Sequence, residues 1–194
     1  FYEVFSQVGD KIGEVTIRDL LKMKTLTDAK VESLFKYVPK LSVDANLFQA
    51  AKVMADYRLR ALPVVERGKM ISKLDVRAIT SKVKDSNLGN TRASRIMTAS
   101  PITISTREKI AKARTIMIRR RFDHLPVTKD RKIVGIVTSA QIVFNLTRSV
   151  DAGRYIISVP EDFKPLHWPV NTIMDGNPLE CDLKDSIRAV ANSM

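Results

Sequence analysis

The amino-acid sequence predicts an α/β fold assembled from small repeated units. Three observations point there. Leu62-Pro63-Val64-Val65 returns as Leu125-Pro126-Val127-Thr128, 63 residues later. At the same spacing Val53-Met54 falls on Ile116-Met117, Met70-Ile71 on Ile133-Val134 and Ile79 on Ile142. A third, partial copy follows, in which Ile96-Met97-Thr98-Ala99-Ser100-Pro101-Ile102 returns 77 residues later as Ile173-Met174-Asp175-Gly176-Asn177-Pro178-Leu179. Self-similarity at a fixed period marks a chain built from one supersecondary unit used several times. The boundaries that follow are a first unit over 1–85 with a helical insertion at about 27–38, a second over 91–148, a linker over 149–169 and the start of a third over 170–194.

Within each copy the pattern alternates between helical and extended periodicity. Phe1 to Phe5 reads as a strand, Gly9-Asp10 as a turn, and Thr16 to Leu21 as a short helix leading into the first unit. In the insertion Val31, Leu34, Phe35 and Val38 recur at i, i+3, i+4 and i+7, the spacing of one helix face. Lys40 to Val43 is a short strand. Asp44 is placed to cap a helix whose inward face is Leu47, Ala50, Ala51 and Met54. Ala61 to Val65 is a short apolar run between charges, the pattern of a buried strand. Arg67-Gly68 turns the chain, Lys69 to Leu74 returns, and Val76 to Val83 closes the unit as a helix. The second unit repeats the scheme: a strand over Pro101 to Ser105, Thr106 as cap, a helix with Ile110, Ala113 and Met117 inward, strands over His124 to Thr128 and Ile133 to Val137, and a helix over Ser139 to Thr147. Pro160, Pro165 and Pro169 forbid one continuous helix in the linker.

Composition narrows the function classes. The chain has 194 residues, 44% of them apolar, enough for one or two domains with a core. It contains no apolar run of about 18 residues, so no membrane span is expected. The single Cys181 excludes an internal disulfide and fits a reducing, cytoplasmic setting. The net charge is +12, and the second unit holds most of it: residues 91–150 carry 13 Lys/Arg against 3 Asp/Glu. Such a lobe attracts anions, whether phosphate, nucleotide, nucleic acid or an acidic partner, or is simply a solvated face. Arg119-Arg120-Arg121 is its densest run and a candidate phosphate or nucleic-acid contact, although Phe122 alone supplies no stacking platform. His124, His167 and Cys181 make no metal-ligand set. No nucleophile–base pair, glycine-rich phosphate loop or working carboxylate pair is present, which argues against an enzyme.

Ile96-Met97-Thr98-x-x-Pro101-Ile102-Thr103-Ile104, a helix, Leu125-Pro126-Val127 and then Ile133-Val134-Gly135-Ile136-Val137-Thr138-x-x-Gln141-Ile142 together resemble the CBS domain, named after cystathionine β-synthase. The resemblance covers most of the chain as one divergent, one good and one truncated copy. It implies tandem motifs, each a small three-stranded sheet with two helices, paired with pseudo-twofold symmetry into a Bateman module. It also implies a regulatory sensor without bound cofactor that takes an adenosyl compound such as AMP, ATP or S-adenosylmethionine. Modules of this kind commonly form homodimers, and some contact nucleic acid. The natural protein is expected to continue past Met194 and to carry more than two copies.

The same resemblance implies a ligand cleft between paired motifs. Independently of it, Thr138 at a helix start caps backbone N–H groups that favour an anion. Family members carry, three residues after that Thr, an Asp that holds the ribose hydroxyls. Here the position is Gln141, and in the first unit Ala78. The first unit also places Asp75, a repulsive charge, where the Thr stands. The cleft built on Ile136, Thr138 and Gln141 is therefore the better candidate. Its implied opposite wall is Pro39, Lys40, Leu59 and Arg60, with Asp123 from the second unit. Thr138 also reads as a plain cap, Gln141 and Arg60 as solvated residues, and Asp123 as a local turn or ion-pair partner.

Overall fold

Two units of one design carry the fold. In the computed structural model, which describes residues 3–23, 30–148 and 164–193 (side chains of 146–148 and 164 excepted), the first unit runs β4 (Leu41–Ser42), α2 (Leu47–Tyr57), β5 (Ala61–Glu66), β6 (Lys69–Asp75) and α3 (Val76–Lys84). The second runs β7 (Ile104–Ser105), α4 (Ile110–Arg120), β8 (His124–Lys129), β9 (Lys132–Thr138) and α5 (Ser139–Arg148). Before them stand a hairpin, β1 (Glu3–Val8) and β2 (Lys11–Thr16), then α1 (Ile17–Lys22), a 3-10 turn at Val31–Leu34 and β3 (Lys36–Tyr37). After them come two short helices, α6 (Lys164–His167) and α7 (Ile187–Ser193).

The repeat holds down to backbone detail. In each unit the short first strand pairs parallel with the second, the second pairs antiparallel with the third, and a bulge interrupts the register, at Val64/Val65 and at Val127/Thr128. The left-handed residues also recur at the 63-residue spacing: Arg58 and Arg121 end α2 and α4 at φ 54 and 58, and Arg67 and Asp130 turn the hairpins at φ 48 and 50. Left-handed backbone at these residues, and at Arg131 beside Asp130, requires local support, here the helix ends and hairpin turns that both units share.

Some local expectations are corrected. Asn46, not Asp44, caps α2: its side chain accepts from Gln49 N at 2.9 Å while the Gln49 side chain accepts from Asn46 N at 3.0 Å, which satisfies two otherwise orphaned donors. Leu47 at the head of that helix is 44% exposed, whereas Ala50 and Met54 are buried. Thr106 does not cap α4, which starts four residues later; its N–H instead extends the sheet by donating to Thr128 O. The helix expected at about 27–38 is, in its described part, a single 3-10 turn followed by β3, because Phe35 must lie over Gly13, whose missing side chain leaves the room. Residues 27–29 of that expectation, and 149–163 of the linker, lie outside the described residues.

The core is unequal. A large cluster in the second unit gathers Ile104, Ile110, Met117, Leu125, Val127, Val137 and Ile142, and takes in Leu21 from α1, Leu166 from α6, and Val170 and Ile173 beyond it. The first unit has only Leu41, Ala50, Met54 and Leu62 as buried members of its cluster. The segment that follows the linker packs on the second unit: Ile136 and Asp175 exchange backbone hydrogen bonds at 2.9 and 2.8 Å. Gly135 permits that approach, since a Cβ there would stand 2.5 Å from Asp175 O.

Candidate functional site

The β1–β2–α1 segment repeats the β8–β9–α5 half of a unit. Gly13, Thr16 and Asp19 precede Gly135, Thr138 and Gln141 by 122 residues each, in the same order of strand, turn, strand, hydroxyl cap and helix. The helix starts are built alike. Asp19 Oδ2 accepts from Thr16 N at 3.1 Å and from Thr16 Oγ1 at 2.8 Å. Gln141 Oε1 accepts from Thr138 N at 2.8 Å and from Thr138 Oγ1 at 3.1 Å. Thr138 thus caps α5 as its plainer reading held. Asp75 does the same for α3, accepting from Ala78 N at 2.9 Å.

Thr16 and Asp19 open onto a cavity of about 190 Å³. One wall is the hairpin with Glu3, Glu14 and Thr16, backed by Asp19; the facing wall is the end of α2 with Arg58, Leu59 and Arg60, and Arg121 closes it from the second unit. A second cavity of the same size adjoins it and shares Glu3, Thr16, Arg18 and Arg60. Its other side is Asp123, His124, Thr138 and Ser139.

Between the two cavities lies a charge clamp. Asp123 is buried, and its carboxylate receives Arg18 Nε at 3.0 Å, Arg60 Nη2 at 3.0 Å and Ser139 Oγ at 3.2 Å. Arg60 and Asp123 are equivalent positions of the two units, 63 residues apart. Equivalent residues that touch must lie beside the pseudo-twofold axis, so the two units face one another here.

The electrostatics follow from burial and neighbours. Burial works to raise the Asp19 carboxyl, but hydrogen bonds from Lys36 and Thr16 outweigh it and hold the group below its ordinary value. Burial pushes Glu14 up to about 7, with the nearby Glu3 and Asp19 charges adding to it and Lys36 and Arg18 opposing. Burial raises Glu3 too, against Lys73 and Arg60.

The predicted wall is therefore split. Leu59, Arg60, Asp123 and Thr138 come together around the two cavities. Pro39 and Lys40 line neither; Lys40 Nζ donates to Asp10 O at 2.7 Å. Ile136 pairs its backbone with Asp175, and Gln141, whose Oε1 is committed to its helix cap as Asp19 Oδ2 is to its own, lines neither cavity. Arg121 lines the first cavity, whereas Arg119 and Arg120 are exposed on the last turn of α4. Sequence reasoning missed Thr16, Asp19 and Glu14. The signal is there, since Gly13-x-x-Thr16-x-x-Asp19 carries the Asp in place of Gln141; it is hidden because the segment lacks the Leu-Pro-Val mark and reads as a lead-in. Among the described residues no cluster of His, Cys, Asp or Glu could hold a metal ion, and no helix is long and apolar enough to cross a membrane.

Paired three-stranded units with helix caps opening on a shared crevice define a tandem-motif α/β architecture, and comparison identifies it. The CBS domain family matches residues 31–84 and 93–148, and the chain belongs to that family. An uncharacterized protein of Methanocaldococcus jannaschii, MJ1404, is 29% identical over 183 residues, covering 91% of this chain and 43% of its own length. The CBS domain-containing protein CBSCBSPB5 of Arabidopsis thaliana is 28% identical over 160 residues, covering 79% of this chain and 27% of its own. The chain thus spans less than half the length of these curated relatives. Among solved structures, protein MJ1225 of Methanocaldococcus jannaschii superposes with a TM-score of 0.82 at 18% identity, covering 99% of this chain and 76% of that one. A conserved protein of Pyrococcus horikoshii gives 0.66 at 17% identity, covering 99% and 84%. These likenesses bear on the fold.

Proposed function

We propose that the chain is a regulatory module that senses an adenine nucleotide or another adenosyl compound, AMP, ATP or S-adenosylmethionine, in the cavity at Thr16 and Asp19. One observation carries the reading: a buried carboxylate at the start of α1 lines a cavity whose facing wall holds Leu59 and Arg60. Asp19 Oδ2 is taken by its helix cap, so Oδ1, now held by Lys22 and Lys36, is the acceptor offered to a ribose hydroxyl, and Arg58, Arg60 and Arg121 suit phosphate. The role is regulatory, not catalytic: a ligand bridging hairpin and α2 shifts their packing by its differential affinity for the two arrangements. The structure of MJ1225 was described as that of a candidate archaeal homologue of g-AMPK, which supports a sensor of this kind. Calorimetry with the three compounds tests it. Binding by at least one, weakened tenfold or more by Asp19→Ala, is expected; no heat from any of them sinks the reading.

The exposed Arg119 and Arg120 favour a second reading, contact with nucleic acid through phosphates. Its signature is an affinity that falls with salt, with a shallower slope in the Arg119→Ala/Arg120→Ala variant. A salt-independent affinity counts against it. A cytoplasmic homodimer formed by module packing accompanies the first reading, and sedimentation of the full chain checks the dimer.

A further inference from the structure

Glu14 occupies an unusual place in the Thr16–Asp19 cavity. Strand alternation puts it on the face of β2 that also carries Thr16, and it is 5% exposed. Lys36 stands directly across from it in β3, yet the Lys36 ammonium bonds Asp19 instead. Among the described residues the Glu14 carboxyl has no hydrogen bond or ion pair, and no polar side-chain atom is sealed away unpartnered. Its oxygens therefore face the cavity they line. The charges around it are Glu3 from β1, Arg18 and Asp19 from α1, and Lys36 from β3. The cations at the far wall and mouth are Lys22, Arg58, Arg60 and Arg121.

A buried carboxylate without a partner is held in its charged form only at a cost. An anion brought into the same cavity adds repulsion at short range in a medium poorer than water. Both effects are relieved by one proton. We propose, building on the nucleotide reading above, that Glu14 is a specificity-determining residue which makes binding in this cavity proton-linked: an anionic adenosyl ligand enters as the Glu14 carboxylate takes one proton from solvent. The neutral carboxyl then offers the ligand a hydrogen-bond donor where an ionised group offers only acceptors. Its upward displacement to about 7 puts the exchange in the neutral range. The anionic end of the ligand lies toward Arg58, Arg60 and Arg121, and the uncharged end lies toward Glu14.

The test is calorimetric titration of the full chain and of Glu14→Gln with AMP and with adenosine at pH 6 and pH 8. Dividing the wild-type ratio of AMP dissociation constants by that of Glu14→Gln removes the probe's own phosphate titration. The expected result is a wild-type AMP affinity that falls roughly fivefold more than the variant's between pH 6 and pH 8, with proton uptake at pH 7.5, seen by changing the buffer's ionisation enthalpy, that the variant loses. Equal ratios in the two proteins, with AMP bound, overturn the role of Glu14 and leave the nucleotide reading standing. Absence of binding by either probe at both pH values overturns the two together.

Discussion

Asp123 shows what a single side chain does in this molecule. It is buried, and two guanidinium groups and one hydroxyl converge on it from α1, the loop before β5, and α5. Removing one partner of a buried ion pair leaves the other charge uncompensated. Asp123→Ala takes the carboxylate from Arg18 and Arg60 at once, and urea denaturation is expected to show a loss of about 3 kcal/mol; a loss below about 1 kcal/mol would mean the clamp is solvated and weak. Glu14 acts in the opposite sense. Its folded value, about 7, lies above the ordinary 4.5. The folded state therefore holds the proton that the unfolded chain releases between those two values. Stability from this group is fully present below about 4.5 and is lost as pH rises through about 7. Glu14→Gln removes that loss, so the variant gains on the wild type by up to about 3 kcal/mol between pH 5 and pH 8. Denaturation midpoints that run parallel across that range would show that Glu14 titrates normally. Arg60 and Asp123 could be picked from the sequence by resemblance to a family pattern. Their ion pair could not, because nothing in a linear chain says that equivalent residues of two copies meet.

At the scale of elements, α1 decides how the parts join. It is six residues long, too short to stand alone. It is held by its Thr16–Asp19 cap and by Leu21, which has no exposure and belongs to the second unit's core. Arg114 from α4 adds to the hold by donating to Leu21 O at 2.9 Å and Met23 O at 3.1 Å. Leu21→Ala is expected to cost about 3 kcal/mol and to free the hairpin, so that amide exchange in β1 and β2 speeds up while that in β8 and β9 does not. Uniform acceleration in all four strands would place Leu21 in the common core only. The strands were legible because short apolar runs between charges have few alternatives. The caps were less so. Asp44, Asn46 and Lys109 are all near a helix start, and a one-turn difference in entry is decided by Gln49 reaching back to Asn46 and by Thr106 joining the sheet. The 3-10 turn at Val31–Leu34 was misread because its apolar spacing fits a helix, while the packing of Phe35 over Gly13 is a long-range fact.

For the whole molecule the repeat was legible and the pairing was not. A spacing of 63 residues fixes which positions are equivalent, and the backbone keeps it to the bulges and left-handed residues. Which half-unit faces which depends on the hairpin, and the hairpin lacks the Leu-Pro-Val mark that identified the other copies. Its consequence is an uneven molecule. The second unit's core is enlarged by α1 and by residues 166–173, whereas the first unit's core cluster has four buried apolar residues, and its contacts with the rest include the polar ones at Gln7, at the Asp123 clamp and between Lys84 and Asn192 of α7. Regions with few buried apolar contacts open at lower free energy than the global transition. Amide exchange of the ligand-free chain should therefore show β5, β6 and α2 exchanging through a smaller opening free energy than β8, β9 and α4. A ligand seated between the hairpin and the end of α2 binds only the closed arrangement. At a hundred times its dissociation constant it should raise the opening free energy of β5 and β6 by about 2.7 kcal/mol and leave that of β8 and β9 nearly unchanged. Protection gained equally in both units would mean that the ligand's site is the second unit itself, and would count against the sensing movement proposed for the first.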